Sequence, residues 1–259
     1  MTERRTRLQW INGILFLLVI AVNLLAELLP IGGVTTGEVS KRYENLFTPA
    51  PFTFGIWGVI YLLVAGFVLY QAGALKRVKG RADEVVLRVG PWFALSCAFN
   101  CAWMLLWHYD QIALSTLMLL GLLIALAALV NKTRDASASP AEKLLCQAPF
   151  SLYFGWITVA LIANICTLLV QLGWNGLGDA PQTWMLIILP LGALIACAAI
   201  LRGRDWVYGL AVLWAYFGIL FRHIASSGYG AKYPAVIIMA GLCMAAVLAA
   251  IVRAARRKG

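Results

Sequence analysis

Residues 152–164 read LYFGWITVALIAN, deep inside one of the longest apolar stretches of the chain. Lipid contact alone asks for none of the tyrosine, tryptophan and asparagine that this stretch carries. On a helix each residue advances by about 100°, so Tyr153, Trp156, Ala160 and Asn164 fall within an arc of about 80°. Thr158 points away from that arc, where a hydroxyl can bond back to its own helix. An asparagine amide in hydrocarbon is unfavourable without partners, so this face is predicted to turn toward other helices.

The rest of the chain agrees with a membrane setting. Of 259 residues, 62% are hydrophobic and only 12% charged, where a soluble domain carries about a quarter. The net charge of +10 does not mark a nucleic-acid partner, because the basic residues sit between apolar runs and form no patch. Eight runs are long enough to span a bilayer: 8–30, 52–75, 85–107, 111–131, 144–172, 183–201, 205–225 and 233–252. Ten-residue alternation of the barrel type is absent, so the class is an all-α integral membrane protein. With the N-terminus inside, 17 Lys and Arg fall on inner segments and 4 on outer ones. This asymmetry predicts a multi-pass protein with both termini cytoplasmic. Arg4, Arg5 and Arg7 precede a first run too long for a signal peptide, and no small-x-small site follows it, so it reads as a retained span.

The longest link, Gly32 to Pro51, is predicted to cap the outer end of the bundle as a lid. Asn131 to Pro140 reads as a polar loop, and Asp205 as the N-cap of the seventh span. The six cysteines read as small buried hydrophobes. No phosphate loop, nucleophile elbow or metal-ligand pair occurs, so no catalytic residue and no metal ligand is assigned.

Two further spans repeat the pattern of residues 152–164. In the third span, Ser96, Asn100, Trp103 and Trp107 share a narrow arc; in the second, Phe54, Trp57, Tyr61 and Ala65 do. Small residues beside the rings leave space at the same level. Two readings fit these faces. One is an aromatic-walled cavity with polar anchors, suited to a flat apolar ligand. The other is packing, with the asparagines as interhelical glue. Trp10, Trp92, Trp174, Trp184 and Trp206 lie near span ends and read as interfacial belt residues.

Three blocks in order resemble the TspO/MBR family of tryptophan-rich sensory, translocator and benzodiazepine-receptor-like proteins. They are YENLFTPAPFTFGIWGVIY (43–61), FNCAWMLLW (99–107) and LYFGWITVALIAN (152–164). The likeness covers about residues 8–172. It implies a five-helix transmembrane bundle over 1–172; about three additional C-terminal helices in 173–259 follow from the apolar runs and depart from the family pattern. It also implies a pocket for a porphyrin, haem or another planar hydrophobic small molecule, with sterol binding also associated, and a sensory or stress-related role. By match, Trp57, Asn100 and Trp156 line the pocket. Phe54, Tyr61, Trp103, Trp107, Tyr153, Ala160 and Asn164 are neighbours, and Tyr43, Leu46 and Pro49 belong to the lid. Leu152 stands where the family has proline, and the lid lacks the family's Lys-Pro and paired prolines. Family members are often homodimers; the extra helices either cover that surface, which makes this chain a monomer, or add a separate function.

Binding without catalysis is the leading expectation, with no resident cofactor beyond a porphyrin or haem ligand. The alternatives are transport of small hydrophobic molecules and an enzyme modifying the bound porphyrin. Lesser candidates are His108 and Asp110, read as a solvated turn, His223 as an axial haem ligand, and Glu27 near a span end. Val68 to Lys76 is a loose sterol-contact pattern resting on Tyr70 and Lys76.

Overall fold

In hydrocarbon every backbone N–H and C=O must find a partner within the chain, and this chain meets that demand with helices. The computed structural model describes residues 2–29, 31–75, 82–135, 137–174 and 181–256. Lys76, Arg77, Lys79, Arg81, Arg257 and Lys258 of the charge and sterol readings, and Pro30 at the end of the first span, lie outside the described residues. The helices are α1 (Thr2–Leu28), α2 (Thr36–Arg42), α3 (Ile56–Gln71), α4 (Ala82–Val89), α5 (Pro91–His108) and α6 (Ile112–Thr133). They continue with α7 (Pro140–Glu142), α8 (Ala148–Gln171), α9 (Pro181–Gly203), α10 (Trp206–Ile224) and α11 (Pro234–Arg256). Among the described residues seven helical stretches are long and apolar enough to cross a bilayer, or eight if α4 and α5 make one bent span.

The bend corrects the expected continuous span 85–107. α4 and α5 meet at 58°. Gly90 sits between them at φ +48°, a conformation that favours glycine, and Pro91 opens α5 at a position where its missing N–H costs nothing. Both flanks are apolar, so a hydropathy window runs straight across the break. α4 is instead a short amphipathic helix, with Val85, Val86 and Val89 buried and Asp83 and Glu84 exposed.

The chain forms two compact units. The first holds Met1–Thr36 and Trp57–Phe154, the second Gly37–Ile56 and Gly155–Gly259. The second therefore combines the link between the first two spans with the C-terminal half of α8 and everything after it.

In the first unit α5 packs on α1 and α6, and α4 on α1 and α6. Phe67, Phe93 and Phe150 form a buried trio with Phe67–Phe150 centroids 4.8 Å apart. Several polar groups in the interior are paired. Asn12 donates to Gln71 Oε1 at 2.9 Å. Ser139 and Glu142 form a capping box at α7, and a stretch of wider π-type turns at Lys143–Gln147 joins α7 to α8. The Tyr70 hydroxyl donates to Glu142 Oε1 at 3.1 Å. Tyr70 is thus buried against protein, which removes it from the sterol-contact pattern.

In the second unit α11 packs on both α9 and α10. α8 and α10 approach at Gly155, where an added Cβ would lie 2.3 Å from the Tyr208 carbonyl oxygen. The Tyr208 hydroxyl donates to Thr158 Oγ1 at 3.1 Å, so the hydroxyl expected to serve its own helix accepts from a neighbouring one. Tyr216 donates to the Leu189 carbonyl at 2.7 Å. Asp205 caps α10 as expected, accepting from Tyr208 N at 3.1 Å. Large aliphatic side chains such as Leu62 and Leu194 point outward, as lipid contact requires.

Candidate functional site

Two sites stand out, one in each unit. In the first unit, the indole of Trp57 on α3 is the hub of a ring cluster. It stacks on Tyr61 at 5.3 Å and on Trp103 of α5 at 5.9 Å, and meets Tyr153 of α8 edge-on at 5.5 Å. Spacing of four on α3 puts Trp57 and Tyr61 one above the other. A hydrogen-bond chain lies alongside, part-buried at Asn23 and buried at Asn100 and Tyr153: Asn23 Nδ2 donates to Asn100 Oδ1 at 2.9 Å, and Asn100 Nδ2 donates to the Tyr153 hydroxyl at 2.7 Å. Six of the expected pocket residues fall in this unit: Trp57, Tyr61, Asn100, Trp103, Trp107 and Tyr153. The first four and Tyr153 share the cluster and its polar chain.

Trp107 does something else. Its indole N–H donates to the Thr36 carbonyl at 3.2 Å. His108 joins it there: it is buried, its Nδ1 donates to the Met104 carbonyl at 2.9 Å, and its Nε2 faces Thr36 Oγ1 at 3.4 Å. The expected solvated turn is therefore a buried mount for the start of α2. Asp110, at φ +59°, makes the turn itself. A cavity of about 20 Å³ touches Tyr61, Ser96, Asn100 and Tyr153, a volume of about one water molecule.

The second unit holds Phe54, Trp156, Ala160 and Asn164 and the expected lid residues Tyr43, Leu46 and Pro49. Phe54 meets Trp156 edge-on at 5.9 Å, and Asn164 is buried. The 43–53 segment is fastened to α10 and the turn beyond it. Ala50 N donates to the Gly218 carbonyl at 3.0 Å, and Trp214 Nε1 to the Thr53 carbonyl at 2.8 Å. Arg222 donates to the Thr48 carbonyl at 3.1 Å and to Glu44 at 3.2 Å. His223 Nε2 donates to the Leu46 carbonyl at 3.0 Å; this histidine, weighed as a haem ligand, holds the segment in place. Tyr43 accepts from Gln171 at 3.2 Å.

Gly218 is where this seat is tightest. A Cβ there would lie 2.0 Å from Thr53 Oγ1 and 2.9 Å from Thr53 Cβ. We expect Gly218→Ala to lift residues 50–53 off α10. Hydrogen exchange of the amides in 44–53 should rise by about tenfold, the equivalent of about 1.4 kcal/mol of lost protection. Unchanged exchange in that peptide would show that the seat does not hold the segment.

Beside this segment lies a cavity of about 470 Å³. Its wall includes Phe47, Val170, Trp174, Trp184, Tyr229 and Tyr233. Trp174 and Trp184 meet edge-on at 4.6 Å; both read from sequence as belt residues, yet they line a pocket. The sequence does carry a signal in FRHIASSGYGAKYP (221–234), an island of Arg, His, Tyr and Lys between two apolar runs. Asn23, the partner of Asn100, was likewise legible as an asparagine within a span. Among the described residues no group of three His, Cys, Asp or Glu side chains is placed to hold a metal.

No curated protein and no solved structure matches this chain. One family model does, described as TSPO-like protein, over residues 9–253.

Proposed function

The chain belongs to the TSPO-like protein family over nearly its whole length, and from that premise we propose that it is a multi-pass membrane binding protein for a planar apolar ligand. The ligand class is a tetrapyrrole such as protoporphyrin IX or haem, and the output is sensory or stress-related. In the proposed orientation both termini face the cytoplasm, the side toward which the Lys and Arg excess lies.

The observation that carries the reading is the Trp57 cluster. Its stacked and edge-on rings at 5.3–5.9 Å are the geometry with which aromatic side chains grip another flat π-system. Asn100, held between Asn23 and Tyr153, sets the polar end. Within that unit the rings close on one another around a cavity of only about 20 Å³. A porphyrin therefore enters this cluster only when the Trp57 indole swings out of its stack. The apparent affinity is then reduced by the fraction of molecules in which it has swung.

Protoporphyrin IX titrated into the protein in lipid nanodiscs, read by the shift of the porphyrin absorbance band, tests this. Wild type should bind saturably above empty nanodiscs. Trp103→Leu, which removes a ring that the porphyrin meets once Trp57 has swung out, should bind about tenfold more weakly, the loss of about 1.4 kcal/mol expected of one aromatic partner. Equal titrations for the two proteins would remove the cluster as the porphyrin site.

A further inference from the structure

We propose that the 470 Å³ cavity of the second unit is a separate binding site, for an aromatic ring system carrying a carboxylate or an equivalent anionic acceptor. The cavity lies in the size range of small-molecule sites, about 300–1,000 Å³. Half of its wall comes from residues beyond 172 and the rest from residues 44–47 and from α8; it shares no residue with the Trp57 cluster, so it stands independently of the function proposed above.

Five of the twelve wall residues are aromatic, and the polar groups on the wall are unequal. Among the acceptors, Glu44 Oε1 and the Asn45 side chain are already engaged. Glu44 takes hydrogen bonds from Arg222 at 3.2 Å and from the Tyr229 hydroxyl at 3.5 Å. The Asn45 side chain is bound to its own turn, accepting from Phe47 N at 3.1 Å and Thr48 Oγ1 at 3.2 Å and donating to the Tyr43 carbonyl at 3.1 Å. Tyr229 also donates to the Asn45 carbonyl at 3.2 Å, and burial pushes its phenol up to about 12, so it stays protonated.

Two donors on the wall remain poorly matched. The Trp184 indole N–H is buried against the Cys166 thiol, a weak acceptor, and meets no stronger one among the described residues. Sulfur matches a buried N–H poorly, and an oxygen of a ligand would match it better. Lys232 lies on the cavity wall with Nζ 5.4 Å from the Tyr233 ring centre, and its side chain is exposed. A ring fits between aromatic walls, its acceptor meets Trp184, and its negative charge meets Lys232. A neutral aliphatic ligand would use none of the donors.

The test uses 2-naphthoate and its neutral relative 2-acetylnaphthalene, titrated calorimetrically into the full chain in nanodiscs, with empty nanodiscs as reference. Wild type should bind naphthoate saturably. Trp184→Phe, which keeps a ring and deletes the N–H, should weaken both ligands at least fivefold. Lys232→Gln, at an exposed position, should weaken naphthoate at least fivefold and leave 2-acetylnaphthalene unchanged. Trp103→Leu should alter neither, which separates failure here from failure of the porphyrin reading. Absence of saturable naphthoate binding above empty nanodiscs overturns the proposal. So does wild-type affinity for naphthoate in both Trp184→Phe and Lys232→Gln, or in Val170→Trp, which fills the cavity.

Discussion

Gly155→Ala is expected to destabilise the protein by about 3 kcal/mol, the upper end of the usual cost of overpacking. The reason is the partner it would strike. An added Cβ would sit 2.3 Å from the Tyr208 carbonyl oxygen and 3.0 Å from Ala211 Cβ. A flexible side chain can step aside, but a helix backbone cannot do so without moving α8 from α10. Close backbone approach at a small residue is the main source of helix association where lipid offers no hydrophobic drive. The same separation would stretch the Tyr208–Thr158 hydrogen bond at 3.1 Å. Gly58→Ala is the control, because nothing lies within 4 Å of its added Cβ; helix propensity alone predicts a gain of up to about 1 kcal/mol there. The measurement is the thermal midpoint of the folded fraction in detergent for both variants. If Gly155→Ala melted with Gly58→Ala, the close approach of α8 and α10 would be wrong.

The second large effect is expected at Asn100. Asn100→Leu removes the buried middle of the chain and leaves two groups behind, the Asn23 amide and the Tyr153 hydroxyl. Leaving a buried donor or acceptor unmatched costs about 1–3 kcal/mol. Asn23 keeps one partner, the Val19 carbonyl at 2.8 Å, so the expected loss is about 2 kcal/mol. A double-mutant cycle with Tyr153→Phe separates this chain from simple packing. Coupling of about 1 kcal/mol is expected, within the range measured for hydrogen bonds between membrane helices. Strict additivity of the two substitutions would show that the 2.7 Å contact between Asn100 and Tyr153 contributes nothing to stability.

Much of the architecture could be read from residue order. Apolar run length marks each crossing, because a bilayer imposes one length scale on every helix. The helical spacing of Tyr153, Trp156, Ala160 and Asn164, and of Asn100 and Trp103, was legible for the same reason: 3.6 residues per turn is a property of the backbone. Hydropathy could not show the break at Gly90, since apolar residues on both sides mask a change in backbone direction. Nor could it tell which end-of-span tryptophans face lipid. Trp10 is 70% exposed, whereas Trp174 and Trp184 turn toward each other and a cavity, and both cases read alike in sequence.

By itself, then, the amino-acid order determined that this chain is a helical membrane protein, where its spans lie, and which family it joins. These follow from local quantities: hydrophobicity, helical period and short ordered motifs. Tertiary structure alone decided who meets whom. It seated the 43–53 segment on α10 through Gly218, Arg222 and His223, set the Trp184 N–H against the weakly accepting Cys166 thiol, and closed the Trp57 rings on one another. Partners more than a hundred residues apart, such as Thr53 and Trp214, are chosen by the sum of many packing contacts, and no local pattern encodes that sum.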